Sequence, residues 1–225
     1  IDTPLHAYVP AKHVDHMHPD AIIAIAAAKD SKALTRQIFG DTIGWLPWKK
    51  PGYELGLWLS DFCAKNPDAK GVVLESHGLF TWDDDAEACY ALTLEIIQKA
   101  MDWFEAETEG KPAFGGVKHT SLDETARRAV VARLMPAIRG MVSGQQHMVG
   151  HFTDSPAVLE FVNAQDMERL AALGTSCPDH FLRTKICPLV VDFDPSNPDV
   201  DATLAGLDAA VAEYRLGYQA YYDRG

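Results

Sequence analysis

The chain lacks any long uninterrupted apolar run, so it contains no candidate membrane span, and nothing in it resembles a secretion signal. It is also poor in positive charge, because 20 Lys and Arg stand against 32 Asp and Glu and give a formal net charge of −12 at pH 7. This negative balance argues against a nucleic-acid partner and against binding to anionic membranes. We therefore expect a cytoplasmic protein with neither kind of partner.

Cysteine is scarce and scattered. The 4 cysteines contain no CxxC pair; they are Cys63, Cys89, Cys177 and Cys187. Without such pairing, a disulfide framework and a cysteine-type zinc site are both disfavoured. The pattern predicts reduced thiols, which agrees with a cytoplasmic location.

The glycine-rich turn of a nicotinamide-binding domain is absent as well. Such a domain needs a GxGxxG-type turn between its first strand and first helix, where the cofactor's phosphates bind. Neither GxGxxG nor GxxxGxG occurs, and Gly115-Gly116, Gly140 and Gly144 stand isolated. If this chain is part of a protein with nicotinamide-dependent dehydrogenase activity, that activity must belong to residues outside the chain.

Histidines provide the main chemical signal. His16 and His18 lie two apart in a strand-like stretch, and residues two apart on a strand point to the same face. Met17 between them should point the other way, into a core. His77 follows the strand-like run Gly71–Leu74 and precedes Gly78, which allows a ligand or a backbone to approach closely.

Three neutral imidazoles from two strand ends can form an open site for a divalent metal. Zinc is the ordinary candidate, with a fourth position left for water or substrate. The alternative is that the HxH pair is structural or faces solvent, which is unsurprising in a chain with 9 histidines. Glu75, two residues before His77, is a candidate to orient that ligand from outside the coordination shell. Asp15 and Asp20 are weaker candidates, since turn or capping roles suit them equally.

Hydrophobic periodicity alternates strands with helices along a chain long enough for one substantial core. The predicted strands are 11–18, 43–48, two around His77, 146–152, 155–162 and 189–193. The predicted helices are 19–28, 32–39, 54–65, 86–108, 122–138, 166–173 and 199–222. Asp83–Asp85 precedes the longest of the central helices and is expected to cap it rather than to bind calcium.

Four segments carry a resemblance to a known family. HVDHMHPDAIIAIAAA and GVVLESHGLFTW resemble the two metal-binding elements of the class II aldolase/adducin family. IGWLPWKKPGYELG is similar to the segment that follows the first element in rhamnulose-1-phosphate aldolases. GTSCPDHFLRTKICPLVVD resembles a bacterial subgroup in which the aldolase region is fused to a C-terminal short-chain dehydrogenase. The resemblance covers essentially the whole chain.

The resemblance implies an α/β fold of three αβα layers around a mixed, mostly antiparallel sheet. It also implies a cyclic homotetramer with its active site at a subunit boundary. We expect residues 1–118 to form the metal-binding part of the aldolase domain, with its N-terminal portion missing. Residues 119–225 would be a C-terminal extension packed on or continuing that domain.

For function, the resemblance implies cleavage of a ketose 1-phosphate, L-rhamnulose 1-phosphate above all, to dihydroxyacetone phosphate and L-lactaldehyde. His16, His18 and His77 would hold Zn²⁺ or another divalent metal. The family's general acid/base carboxylate and its phosphate-binding loop are expected upstream of Ile1, so this chain alone should be a poor aldolase. The alternatives are a sugar-phosphate epimerase or decarboxylase of the same fold and a non-catalytic adducin-like module.

Two further constellations contain chemically able side chains. Cys177-Pro178-Asp179-His180 offers a thiol, a carboxylate and an imidazole, but neighbours in sequence rarely face one another, so a structural loop is favoured. His180 with Arg183 and Lys185 could instead form a small basic patch. His147 and His151 are expected on a strand, too far apart to chelate a metal together.

Overall fold

The computed structural model describes residues 2–224, apart from the side chain of Phe181. Ile1 and Gly225, the outer limits of the predicted segments 1–118 and 119–225, lie outside the described residues. The chain divides into two compact units. The first contains the residues up to Gly110 together with Thr175–Thr184, and the second contains Lys111–Gly174 with the residues from Lys185 onward.

The first unit is built on a four-stranded sheet in the order β1-β4-β3-β2. The strands are β1 (His13–Met17), β2 (Ile43–Leu46), β3 (Gly71–Leu74) and β4 (Gly78–Asp83). β1 and β3 each pair antiparallel with β4, whereas β2 pairs parallel with β3. The predicted mixed, mostly antiparallel sheet is therefore confirmed.

The described residues also form α-helices of 5 to 23 residues. They are α1 (Thr3–Ala7), α2 (Asp20–Ala26), α3 (Ser31–Phe39), α4 (Tyr53–Lys65), α5 (Ala86–Thr108), α6 (Glu124–Val142), α7 (Pro156–Val162), α8 (Met167–Leu173), α9 (Pro178–Arg183) and α10 (Val200–Tyr222). None of them combines the length and the apolar character that crossing a membrane requires.

Two apolar clusters cover the two faces of the sheet. Val72 and Phe80 pack on one face against residues of α1 and α4, including Leu55. Their strand neighbours Val73 and Leu79 pack on the other face against α2, α3 and α5. Strand residues alternate between the two faces of a sheet. A sheet that is covered on both faces therefore needs consecutive apolar residues in its strands, such as Val72-Val73 and Leu79-Phe80. The three-layer αβα fold is confirmed.

Local signals set the start of α5 and the end of α3. The Asp85 side chain accepts a hydrogen bond from the Ala88 backbone N–H at 2.9 Å, so it caps α5 as predicted. Gly40 ends α3 with a φ of 68°, a left-handed conformation that glycine adopts without steric cost.

The second unit is helical where it is regular, and three strand predictions in it were wrong. Residues 146–152 form no strand, and residues 189–193 are irregular as well. Alternating apolar residues indicate a strand only where a partner strand supplies hydrogen bonds, and the described residues provide none for either segment. Residues 155–162 form α7 instead, because Ser155 and Pro156 occupy the N-cap and the first helical position.

Candidate metal centre

His16 and His18 come from the edge strand β1 and the residue just beyond its end. His16 lies opposite Phe80 in the register of β1 and β4, and the two rings stack with centroids 4.0 Å apart. Asp15 points to the other face, where its carboxylate accepts a hydrogen bond from Thr93 of α5 at 2.8 Å. The prediction that Met17 enters a core was wrong: its side chain is 48% exposed, because β1 is an edge strand.

His77 lies in the tight turn that joins β3 to β4. The backbone N–H groups of Glu75, Ser76 and His77 donate to carbonyls of Leu46, Ala26 and Leu74, which fixes the turn against its neighbours. Ser76 has a φ of 51°, unusual for a residue other than glycine. His77 itself is buried, with only 4% of its surface exposed.

The three imidazoles meet in one cluster, which we call the histidine cluster (His16, His18 and His77). The ring centroids are 4.7 Å apart for His16 and His18, and 5.1 Å apart for each of them with His77. One ring nitrogen of each residue lies within 4.8 Å of those of the other two. The pair spaced two apart and the histidine some 60 residues later are thus brought together, as the sequence predicts.

Gly78 leaves the room in which this cluster assembles. A Cβ at this position would overlap the His18 ring and would approach the Met17 carbonyl oxygen to 2.7 Å. Real Cβ atoms do not come so close to backbone, so a side chain here would displace His18. As expected for a glycine directly after His77, the His18 ring and the Met17 carbonyl approach the backbone of Gly78 closely.

Two carboxylates bond the outer nitrogens of the cluster. His16 Nδ1 lies 2.9 Å from Asp2 Oδ1, and His18 Nδ1 lies 2.7 Å from Asp179 Oδ2. Asp2 also accepts a hydrogen bond from His6 Nε2 at 3.0 Å, so its carboxylate bridges two imidazoles. Metal-binding histidines commonly have such carboxylate partners on the nitrogen that is not coordinated.

Glu75, the carboxylate expected beside His77, has a different partner. Its Oε2 accepts a hydrogen bond from the Trp48 backbone N–H at 2.8 Å. His77 Nδ1 is buried and has no hydrogen-bond partner among the residues that the structure describes. The carboxylates that contact the cluster are therefore Asp2 and Asp179, neither of which the sequence singled out for this role.

Burial and mutual repulsion keep two rings of the cluster, those of His16 and His77, uncharged. Burial lowers the pKa of His16 to about 4, and His18 adds to the effect while Asp2 opposes it. Burial, followed by the charges of His16 and His18, lowers the pKa of His77 to about 4 as well. Both rings are consequently neutral at pH 7, the form in which an imidazole binds a metal.

The donor set fits a divalent cation. An ionised carboxylate only accepts hydrogen bonds, so Asp2 and Asp179 require the proton of each bonded ring on Nδ1. The Nε2 atoms of His16 and His18 then carry lone pairs, and these atoms lie 3.0 Å apart. A hydrogen bond between them would need one ring to be doubly protonated, which the low pKa disfavours for His16. A cation between the rings removes this conflict.

The other candidate residues do not join this site. His147 and His151 are exposed residues of an irregular segment. The Cys177–His180 segment, expected to be a structural loop, starts the short helix α9, with Cys177 buried. Asp179 is the member of this motif that reaches the histidine cluster. Its separation of 161 residues from His18 leaves no spacing signal from which the contact could have been predicted.

Family models match both parts of the chain. The model described as the class II aldolase and adducin N-terminal domain matches residues 1–103. The model described as the second domain of class II aldolase matches residues 129–225. Together they cover the histidine cluster and both carboxylates.

One curated relative is 39% identical over 224 residues, namely the uncharacterized oxidoreductase YuxG of Bacillus subtilis (strain 168). The alignment covers 100% of this chain and 32% of that protein, so the chain spans about a third of its relative.

Two solved structures are similar over parts of the chain. The N-terminal class II aldolase domain of a conserved protein from Thermoplasma acidophilum is 31% identical, with a TM-score of 0.42, over 46% of this chain and 47% of that one. An aldolase II superfamily protein from Pseudomonas syringae is 19% identical, with a TM-score of 0.37, over 78% of this chain and 62% of that one.

Proposed function

Because this chain belongs to the class II aldolase and adducin family, we propose that it carries the metal centre of a lyase that cleaves a ketose 1-phosphate. The observation that supports this best is the histidine cluster, in which two rings have their Nδ1 atoms bonded to carboxylates and their Nε2 atoms turned toward each other. This arrangement points two nitrogen lone pairs at one position, where a cation would bind both.

We assign His16, His18 and His77 as ligands of Zn²⁺ or another divalent metal. When bound, the cation would supply a Lewis acid that stabilises the negative charge developing on substrate oxygen as the C–C bond breaks. Three protein ligands leave a coordination position for substrate. No Schiff-base lysine is needed for this type of cleavage.

The surrounding residues hold the rings in position. Asp2 and Asp179 orient His16 and His18, and Phe80 supports the face of His16. The turn that carries His77 is tied to β2, α2 and β3 by backbone hydrogen bonds, which fix the position of its backbone. We assign the general acid/base role to no described residue.

For the substrate we propose L-rhamnulose 1-phosphate, with dihydroxyacetone phosphate and L-lactaldehyde as products. The PGYELG and CPDH segments support this choice through their resemblance to rhamnulose-1-phosphate aldolases. A cytoplasmic homotetramer with shared active sites, and the division into residues 1–118 and 119–225, belong to the same proposal. Four free cysteines agree with a reducing compartment.

The name of the Bacillus subtilis relative raises the question of an oxidoreductase activity. The chain spans 32% of that relative and contains no glycine-rich dinucleotide turn. We therefore place any dehydrogenase activity of a longer parent protein outside residues 1–225.

The test combines metal analysis with a cleavage assay on the chain and on a version extended upstream. Each protein is stripped with a chelator and reloaded with zinc, and release of dihydroxyacetone phosphate from L-rhamnulose 1-phosphate is followed. His16→Ala, His18→Ala and His77→Ala should each abolish stoichiometric zinc binding, and in the extended version most activity. The matched control is His147→Ala, an exposed histidine outside the cluster.

Each alternative gives a different result. Zinc bound by the histidine cluster without any aldol cleavage in the extended protein would favour an epimerase or decarboxylase of the same fold. Failure of the chain to bind zinc, cobalt or manganese at all would favour a non-catalytic adducin-like module and would overturn the proposed function.

A further inference from the structure

The Cys-Pro-Asp-His motif reaches the histidine cluster through Asp179. We propose that Asp179 is a positioning residue: its carboxylate holds His18 in the Nδ1–H form and thereby sets the affinity of the site for a divalent metal. The metal part of this inference rests on the proposed function. The tautomer part concerns the metal-free protein and can be tested by itself.

The contact between the two residues is short and directed. Asp179 Oδ2 lies 2.7 Å from His18 Nδ1, at the short end for an N–H···O bond to a charged acceptor. A carboxylate in its ordinary ionised form has no proton to donate, so Asp179 accepts in this bond and the proton lies on His18 Nδ1.

The local fold holds the carboxylate in place. Cys177 is 1% exposed and anchors the start of α9, and Pro178 occupies the first helical position. At the other end, the Thr184 N–H and hydroxyl both bond the His180 carbonyl, at 2.8 and 2.9 Å. Thr175–Thr184 belongs to the same compact unit as the sheet, although it lies far along the chain from it.

Asp179 is the cleaner of the two carboxylates to test. Asp2 accepts hydrogen bonds from both His6 and His16, so its removal changes two imidazoles at once. Asp179 bonds one ring, and that ring presents its other nitrogen to His16 at 3.0 Å. Reversing the tautomer of His18 would place a proton on the atom that faces the centre, where a metal needs a lone pair.

The experiment uses Asp179→Asn, because an amide keeps the size of the carboxylate but can donate a hydrogen bond to Nδ1. Imidazole ¹⁵N shifts of the metal-free chain should show His18 protonated on Nδ1 in the wild type and on Nε2 in the variant. Zinc affinity, measured by competition with a chelator, should fall by about 10- to 100-fold. Asp179→Glu should restore most of the affinity, since it restores an accepting carboxylate.

His180→Asn is the matched control, because it alters the next residue of α9 while keeping Asp179. It should leave both the His18 tautomer and the zinc affinity at wild-type values. Cobalt-substituted protein adds a spectroscopic readout: the visible absorption of bound Co²⁺ should change in Asp179→Asn and remain unchanged in His180→Asn.

The outcomes separate this inference from the proposed function. An unchanged His18 tautomer in Asp179→Asn would overturn the positioning role. A changed tautomer with unchanged zinc affinity would overturn it as well. In both cases zinc binding by the wild type would still support the proposed metal site. If the wild type binds no metal, the proposed function fails and so does the effect on affinity, whereas the ¹⁵N shifts still decide the tautomer.

Discussion

The imidazole of His16 stacks on the phenyl ring of Phe80, with the ring planes 18° apart. The two residues face each other across the β1–β4 ladder, and Phe80 is fully buried beneath the histidine. Phe80, an apolar core residue, thus packs against the ring of a proposed metal ligand. A substitution of Phe80 can therefore change both the stability of the core and the geometry of the candidate site.

Phe80→Leu should therefore weaken metal binding more than its effect on stability would suggest. Leucine fills much of the buried volume, so we expect a loss of about 1 kcal/mol in the free energy of unfolding. It offers no flat surface to His16, and zinc affinity should fall several-fold. Calorimetric titration and chemical denaturation measure the two effects. Phe39→Leu, in the cluster on the other face of the sheet, should lower stability similarly but leave zinc binding intact.

A methyl group at residue 78 should be sufficient to disrupt the site. In Gly78→Ala the new Cβ meets the His18 ring and the Met17 carbonyl, so the hairpin or β1 must shift. We expect a loss of about 1–3 kcal/mol in stability and a large drop in zinc affinity. Gly206→Ala is the control: it lies within α10 with open space around its Cα and should stabilise by about 0.5–1 kcal/mol. Wild-type zinc binding by Gly78→Ala would contradict this account of the close approach.

The metal-free protein should lose stability on acidification between about pH 6.5 and pH 4. The pKa values of His16 and His77 fall to about 4 in the folded state, below the ordinary value of 6.5 that applies when the chain is unfolded. In this range the unfolded chain holds more protons, so the free energy of unfolding falls as pH falls. The stabilising contribution is fully present above pH 6.5.

Urea denaturation in the presence of a chelator, repeated across this pH range, measures the slope. His77→Asn removes one of the two groups and should reduce the slope by up to about 1.4 kcal/mol per pH unit. His147→Asn should leave it unchanged. A slope equal in wild type and His77→Asn would mean that His77 titrates normally in the fold.

Thr93 connects β1 and β4 to the long helix α5 through buried hydroxyls. Its Oγ1 donates to Asp15 Oδ2 at 2.8 Å and lies 2.6 Å from Thr81 Oγ1. Thr93→Val keeps the shape but deprives both partners, so it should cost about 1–3 kcal/mol in the free energy of unfolding. Thr108→Val, at the exposed end of the same helix, should change stability by less than about 0.5 kcal/mol. Zinc affinity should be wild-type in both, because Asp15 faces away from the histidine cluster.

Much of the first unit was predictable because its signals are local. The Asp85 cap, the glycine after α3 and the alternation around His77 all act within a few residues of the elements they define. The two-residue spacing of His16 and His18 likewise fixes a common face once β1 is a strand. Short-range geometry of this kind can be read directly from the sequence.

The remaining features depend on contacts between distant residues. Residues 189–193 have the apolar alternation of a strand, but pairing requires a neighbour that no local pattern supplies. Ser155-Pro156 was a local signal for a helix start that the apolar content of α7 obscured. The contact of Asp179 with His18 is set by where α9 packs. Glu75 does not have its expected role because its carboxylate accepts a hydrogen bond from the Trp48 backbone N–H.

The position of Asp179 also limits how this protein can be recombined. A chimaera that joined residues 1–118 to the corresponding C-terminal segment of another protein would preserve all three histidines. The tautomer of His18, however, would depend on the donor's residue at the position of Asp179. Only a donor that places a carboxylate where Asp179 stands would preserve the full metal affinity of the site. The C-terminal segment contains none of the three proposed metal ligands, yet replacing it would change the metal affinity of the site.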